Sequence, residues 1–427
     1  MIVAIISGVL FFLFIIVSVA LHEIGHMAPA KRFGVRVPRY FVGFGPTIWS
    51  KTVGETEYGV KAFPLGGFVQ LMGMYPPESK RADKPSRLAE FANLARAEEW
   101  EQITPEDVAG NRLLYQKKTW QKVVTMFGGP FMNILIAFVI FSAVYMFYGS
   151  YQSSTELAYV APCVPAQADA TTCAATDPLT PAAAAGLKAG DKIVAFNGVE
   201  ITSYAQLTGL IRANLDHEAA ITVERDGRRV ELTPVNTRVT QVADQWDPSA
   251  TVAAGWLGVT PKTELVKGTP LDALSAMGTM TGQSLVALAK FPVSVVSVVA
   301  DMVQGKERSA SSPMSIVGAS VVAGEVASAD GIDVGAKAAM FAQLLGSINL
   351  FLAIFNLVPL PPLDGGHIAG ALYEWLRRKG AKLLRRPDPG FFDTAKLLPV
   401  AYAVGGFLML CGVVLILADI VNPLSIM

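Results

Sequence analysis

The stretch IVAIISGVLFFLFIIVSVALHEIGH, Ile2 to His26, decides how this chain is read. Its first part, Ile2–Leu21, carries no charge. An apolar run of about 20 residues is long enough to cross a bilayer. It ends directly on His22-Glu23-Ile24-Gly25-His26, which fits H-E-x-x-H. On a helix, positions i and i+4 share a face, so both imidazoles can grip one Zn²⁺ while Glu23 reaches the water beside it. Ionisable groups inside a membrane segment are costly and rare, so three of them at the end of a span mark a functional site. No Lys or Arg precedes the run, as a secretory leader requires, so it is expected to remain as a helix.

The composition agrees. The chain of 427 residues is 52% hydrophobic and 16% charged, with a mean hydropathy of +0.42. A net charge of zero offers nothing to a polyanionic partner, and no feature points to nucleic acid. Uncharged stretches at Ile2–Leu21, Val123–Gly149, Ala339–Leu363 and Leu397–Ala418 predict four transmembrane helices. A further stretch, Gln283–Ala300, holds Lys290 and Pro292 and is expected to lie at the interface as an amphipathic segment. Basic residues set the orientation. The 31–122 loop carries fifteen Lys and Arg, the 373–396 loop seven, and the chain ends none. Positive-inside puts both loops in the cytoplasm and both termini outside. The polar 150–337 stretch is then extracytoplasmic and long enough to hold a folded domain.

This topology brings a third ionisable group to the histidines. The first and third spans both run inward, and the third apolar run stops immediately before Asp364. His22 lies nine residues before Lys31, and Asp364 ten before Glu374. If the helices continue, each sits about 14–15 Å from the first inner charge. Two imidazoles, a carboxylate and a water make the open four-coordinate set of a catalytic zinc site. The alternative is a helix-end Asp364 facing inner-leaflet water. Pro359, Pro361 and Pro362 break the helix before Asp364, which a membrane tolerates where backbone lines a cavity. Gly365 and Gly366 permit close backbone approach. His367 is either a supporting or substrate group near this site or a solvated interfacial residue.

HEIGH in one span together with Asn356-Leu-Val-Pro-Leu-Pro-Pro-Leu-Asp364-Gly in another resembles the site-2 protease family of intramembrane zinc metalloproteases. The resemblance is nearest to its bacterial branch, the regulator-of-sigma-E protease type. Gly43–Pro46 (GFGP) and Pro64–Gly67 (PLGG) look like the family's membrane-reentrant β-hairpin, and Gly128-Gly129-Pro130 with Asn133 looks like its G-P-x-x-N motif. The resemblance implies that His22, His26 and Asp364 are zinc ligands, that Glu23 is the catalytic base and that Asn356 helps hold substrate. It implies single-pass membrane-protein substrates already trimmed outside by another protease, with anti-sigma factors and residual signal peptides as the usual classes, and a place in a bacterial plasma membrane. Two departures stand out. Pro29 follows His26 by three residues and threatens a kink, and Ser312-Pro313 replaces the usual Gly-Pro.

The fold class that follows is a polytopic α-helical membrane protein with four transmembrane helices, a membrane-reentrant β-hairpin and an extracytoplasmic α+β PDZ domain. Its expected divisions are 1–33, the hairpin region 34–74, a cytoplasmic loop 75–122, the second span 123–149, the PDZ domain 157–236, a linker with the interfacial segment 237–337, the third span 338–372, a loop 373–396 and the fourth span 397–418. Alternation in Val35–Phe44 and Tyr58–Phe63 predicts the hairpin's strands, able to pair with an unwinding substrate by strand addition. Within the 75–122 loop, Leu88–Glu101 reads as a helix and Thr104-Pro105 as the start of another. Pro181–Gly190 followed by Asn197-Gly198 and Asp226-Gly227 between β-rich runs resembles a circularly permuted bacterial PDZ domain, suited to peptide binding or to steric gating. Ala161–Asp177 reads as an insertion in it. Cys163 and Cys173 fall in that insertion, where an oxidising exterior favours a bridge, and Cys411 reads as packing in the last span.

Two function classes result. One is a zinc-dependent intramembrane endopeptidase. The other is a catalytically silent, membrane-anchored PDZ adaptor or metal-binding protein. Glu23 separates them, because a carrier needs ligands but no adjacent base.

Overall fold

The computed structural model describes residues 2–77, 87–164, 173–174, 176–244, 246–247, 250–308 and 312–423. They divide into two compact units, Met1–Val144 with Pro270–Met427, and Tyr145–Thr269. The helices used below are α1 (Ile2–Arg32), α2 (Arg87–Trp100), α3 (Thr119–Ala143), α4 (Tyr204–Asn214), α5 (Pro270–Gln304), α6 (Ile316–Ser328), α7 (Val334–Asn356), α8 (Asp364–Leu383) and α9 (Leu398–Val421).

In the larger unit, α1 runs unbroken through HEIGH and through Pro29. The proline withholds the N–H that the Gly25 carbonyl would accept. That carbonyl faces Gly128 of α3, and a Cβ on either glycine would collide with the other's backbone. The expected disturbance at Pro29 therefore falls where two helices touch at their glycines, and α1 continues. The two helices run in opposite directions, since His26 meets Thr125 while His22 meets Gly129. α7 runs parallel to α1: Phe11 packs on Phe341 at 5.0 Å, Ser18 Oγ accepts from Asn349 Nδ2 at 3.1 Å, and His22 lies beside Asp364.

Among the described residues, five helical segments are long and apolar enough to cross a membrane: Ile2–Arg32, Thr119–Tyr148, Pro270–Gln304, Val334–Asn356 and Thr394–Val421. Four were expected. The stretch read as a short interfacial segment, Gln283–Ala300, lies inside a helix of 35 residues that passes through Pro292. A single interior proline removes one helical bond, and packing of Val295 and Val298 on Cys411, Leu415 and Ala418 of α9 holds the helix together around it. The third span also differs from its reading. α7 stops at Asn356, turns over 357–363 contain the three prolines, and α8 starts afresh at Asp364. The helical ruler that placed Asp364 by counting to Glu374 therefore holds only within α8.

β1 (Arg39–Val53) and β2 (Thr56–Gln70) form the hairpin, longer than the two short strands expected. It folds back on itself, so that Arg39–Val42 pairs with Glu57–Val60 on one side and Gly67–Gln70 on the other. Glycines at φ +92° (Gly43), +85° (Gly45) and +120° (Gly66) make these bends. In the loop beyond, Thr104 caps Pro105–Ala109 with a capping box to Asp107, as its sequence predicts.

The smaller unit is a β-sheet with short helices. β3 (Ser150–Val160) pairs with β4 (Lys192–Phe196) on one side and with β7 (Val259–Val266) on the other; β5 (Ile221–Arg225) and β6 (Arg228–Glu231) continue the sheet beyond β4. Its core gathers Leu157, Leu187, Ile193, Phe196, Leu207, Ile221, Val223 and Leu257. The unit thus reaches beyond the expected 157–236 at both ends, because its edge strand comes from residues past Asn236. Thr180 caps the Pro181–Ala185 turn, and Gly186 ends it in the left-handed region at φ +84°. Cys163 and Cys173 are bridged, with Cα atoms 6.0 Å apart. Most of the insertion between them lies outside the described residues. Cys411 is free and buried in α9.

Candidate metal centre and its cavity

His22 and His26 sit one turn apart on α1, both buried. Asp364 is the first residue of α8. Their Nε2, Nε2 and Oδ2 atoms form a nearly equilateral triangle: 3.2 Å between the histidines and 3.3 Å from each to the carboxylate. Donor atoms held about 2.0–2.1 Å from a tetrahedral zinc lie about 3.3–3.4 Å apart, so the triangle has the size of one face of that tetrahedron. His26 Nδ1 donates to the Thr125 carbonyl at 2.8 Å, which leaves its Nε2 lone pair facing the triangle. Asp364 Oδ2 is buried without a hydrogen-bond donor among the described residues. An anionic oxygen in that position calls for a cation. Donor chemistry, spacing and this orphaned atom all fit a zinc ion.

The surroundings explain several residues whose purpose the motifs do not state. A Cβ on Gly129 would collide with His26 Nε2 and lie 2.6 Å from His22 Nε2, so only glycine leaves the face of the triangle clear. Cβ atoms on Gly365 and Gly366 would run into the turn at Leu357, Val358 and Pro361, which folds directly beneath the start of α8. At its middle α8 is held by a buried ion pair, Lys122 Nζ of α3 to Glu374 at 3.0 and 3.2 Å, and Glu374 also accepts the Phe392 amide at 2.9 Å. The turn beneath Asp364 and the Glu374 anchor three turns on thus hold α8 against the helix that carries Thr125 and Gly129.

Glu23 lies beside the triangle, partly buried, and borders the same cavity as Val69 of β2. Gly67 brings the same strand against it, since a Cβ there would lie 3.3 Å from Glu23 Cγ. One cavity of about 830 Å³ joins these groups. Its walls include His22, Glu23, His26 and Asp364, the β2 edge from Gly66 to Leu71, Asn133 and Asn356. Every residue that the sequence singles out for the site therefore borders one space. His367 borders it too, half-buried. Asn133 Oδ1 is buried and lacks a hydrogen-bond donor among the described residues. The sequence marks Asn133 only through a motif, and Thr125 and Tyr402 not at all. A carbonyl acceptor leaves no trace in side-chain identity.

The cavity extends to a wall that the sequence left without a role. Ala95, Glu98, Glu99 and Gln102 border it, a spacing of i, i+3, i+4 and i+7 that places one side of α2 and its C-terminal turn against the cavity. Arg96 fixes the helix through both oxygens of Asp393 at 2.7 and 2.8 Å. Glu99 accepts the amides of Gly73, Met74 and Tyr75 at 2.8–3.0 Å. Burial pushes the Glu99 carboxyl up, and these three amides pull it back.

Comparisons with known proteins agree with this geometry. The model of Peptidase family M50 matches residues 10–384. The chain is 36% identical to "Zinc metalloprotease Rip1" of Mycolicibacterium smegmatis and 35% to the protein of that name from Mycobacterium tuberculosis H37Rv, in each case over 98% of both chains. It is 28% identical to "Metalloprotease MmpA" of Caulobacter vibrioides over 87% of each. With its membrane-capable helices, this is a multi-pass membrane protein, and the chain belongs to peptidase family M50, the site-2 protease type of zinc metalloprotease.

Proposed function

We propose that this protein is a zinc-dependent intramembrane endopeptidase that cuts single-pass membrane proteins in or near their spans, in a bacterial plasma membrane. The observation that carries this is the 3.2–3.3 Å triangle of His22, His26 and Asp364 with Glu23 on the same cavity wall. His22, His26 and Asp364 hold the metal, which when bound supplies Lewis acidity toward a peptide carbonyl and a water. Glu23 takes the proton of the attacking water and passes it to the leaving amine nitrogen. The β2 edge at Gly67–Gln70 pairs with the substrate as an added strand, which presents one peptide plane to Glu23. Asn356 and Asn133 offer side-chain amides to the substrate backbone. Trimming by another protease first, and anti-sigma-factor-like substrates, belong to the same reading.

The topology supporting it has four spans with both termini outside. α7 runs parallel to α1, so an even number of crossings must separate α7 from the outward-running α3. If α5 crossed, α6 would have to return, and its 13 residues reach only about 20 Å against a hydrocarbon core of about 30 Å. This favours α5 at the interface. Exposed apolar residues on the hairpin, Phe44, Ile48, Trp49 and Phe63, favour its entry into lipid. We read the unit Tyr145–Thr269 as the extracytoplasmic PDZ-type domain, on its permuted sheet and capped helical turn.

Two substitutions test the roles. Glu23→Gln should keep zinc at wild-type stoichiometry and lose cleavage of a single-span substrate by at least about 10²–10⁴-fold. Asp364→Ala should lose both zinc and cleavage. Elemental analysis beside a cleavage assay reads both, and near-normal proteolysis by Glu23→Gln would remove the assignment.

A further inference from the structure

The cytoplasmic insert between the first two spans places one wall of α2 in the active-site cavity, and that wall carries a single uncommitted charge. Of its members, Ala95 is small, Glu99 is taken up by the amides of Gly73, Met74 and Tyr75, and Gln102 Oε1 accepts from Gln70 Nε2 at 3.0 Å. Glu98 remains. It is exposed, it borders the cavity, and among the described residues its carboxylate makes no ion pair. The wall is anchored by Arg96–Asp393, by Arg96 Nε on the Pro76 carbonyl and by Trp100 Nε1 on the Tyr75 carbonyl. This helix is therefore a fixed boundary of the cavity.

The β2 edge connects the metal-binding residues to this wall. Gly67 and Val69 line the cavity beside Glu23, and Gln70, the next residue, is hydrogen-bonded to Gln102 just past the C-terminal end of α2. An extended chain advances about 3.3 Å per residue. A substrate strand added to Gly67–Gln70 with its scissile peptide at Glu23 thus meets the α2 wall within a few residues. In the inward-facing orientation, those residues are the ones leaving the membrane on the cytoplasmic side. Single-pass proteins carry an excess of Lys and Arg there.

We propose that Glu98 is a specificity-determining residue that reads the basic cytoplasmic flank of the substrate. This rests on the protease reading above. A carboxylate beside a low-dielectric cavity attracts an incoming ammonium or guanidinium and repels a carboxylate. Arg39, the basic residue on the same cavity, is drawn toward Glu57 at 3.9 Å, which leaves Glu98 to set the sign where the substrate exits.

The test is a charge reversal on both partners, using full-length protein in liposomes. Two single-span fluorogenic peptides share one apolar span, one with a Lys-Lys-Lys inner flank and one with Glu-Glu-Glu. Wild type should prefer the basic flank about tenfold in kcat/KM. Glu98→Lys should invert that preference, and Glu98→Gln should flatten it. Zinc content should not change in either variant, because Glu98 touches no proposed ligand. The same preference in wild type and Glu98→Lys overturns the role of Glu98 and leaves the protease intact. Zinc-dependent cleavage of neither peptide by wild type overturns the protease reading together with it.

Discussion

At the scale of single residues, the site depends as much on glycines as on its charged groups. Gly25 and Gly128 let α1 and α3 touch, and Gly129 keeps the open face of the metal triangle clear. Gly129→Ala places a methyl group against both Nε2 atoms. It should lower zinc stoichiometry and cut activity by about 10²-fold or more, since a displacement of about 1 Å at a reacting centre costs that much. Metal content and turnover of the purified variant measure this, and wild-type values in both would mean that the helices separate freely here. The grouping of His22, Glu23 and His26 was legible because H-E-x-x-H puts all three within about one helical turn. The collision partners of Gly129 were not, because they belong to another helix. Asp364 was found by its position after an apolar run, although the helix assumed to carry it inward ends at Asn356.

At the scale of elements, short local signals were read well and long-range pairing was not. The helix start at Thr104 follows from a side chain that bonds its own backbone, and the helix read over Leu88–Glu101 matches α2 to within one residue at each end. The hairpin's double pairing and the strand Val259–Val266 on β3 depend on residues far apart in sequence. The smaller unit also contains an acid-sensitive joint. Asp191 is 1% exposed and receives Arg225 Nε and Nη2 at 2.7 Å each and the Lys188 amide at 2.8 Å. Burial opposes its ionisation, but Arg225 and that amide hold the carboxyl below the usual carboxylate range. A depressed folded-state pKa contributes stability that is complete above the unfolded value of about 3.9 and is lost as pH falls through the folded one. Asp191→Asn should therefore destabilise this unit by about 1–3 kcal/mol at pH 7 and less at pH 3. Limited proteolysis of the unit against pH measures it, and a loss that stays constant between those pH values would contradict the linkage.

At the scale of the whole molecule, hydropathy gave the membrane class, and parity of helix direction supports the proposed span count. Composition alone could not decide α5, since Pro270–Gln304 passes the same length and apolarity test as the spans. Single cysteines, introduced with Cys411 left buried, should decide it in intact cells. Those at 203–226 should react with an impermeant thiol reagent, and so should Lys306→Cys beyond α5. Those between Pro105 and Lys117 should resist. Protection of Lys306→Cys would turn α5 into a fifth span and reverse the argument from α7.

On the proposed function, proteolysis occurs at the triangle of His22, His26 and Asp364 on a substrate drawn from the membrane. Mass spectrometry of the fragments from a single-span substrate, cut by purified protein in liposomes, tests it most directly. One cut is expected in or next to the apolar span, abolished by a zinc chelator, restored by added zinc and absent in Glu23→Gln. Cleavage confined to a distant soluble flank, or a cut in the span that survives Glu23→Gln, would contradict it.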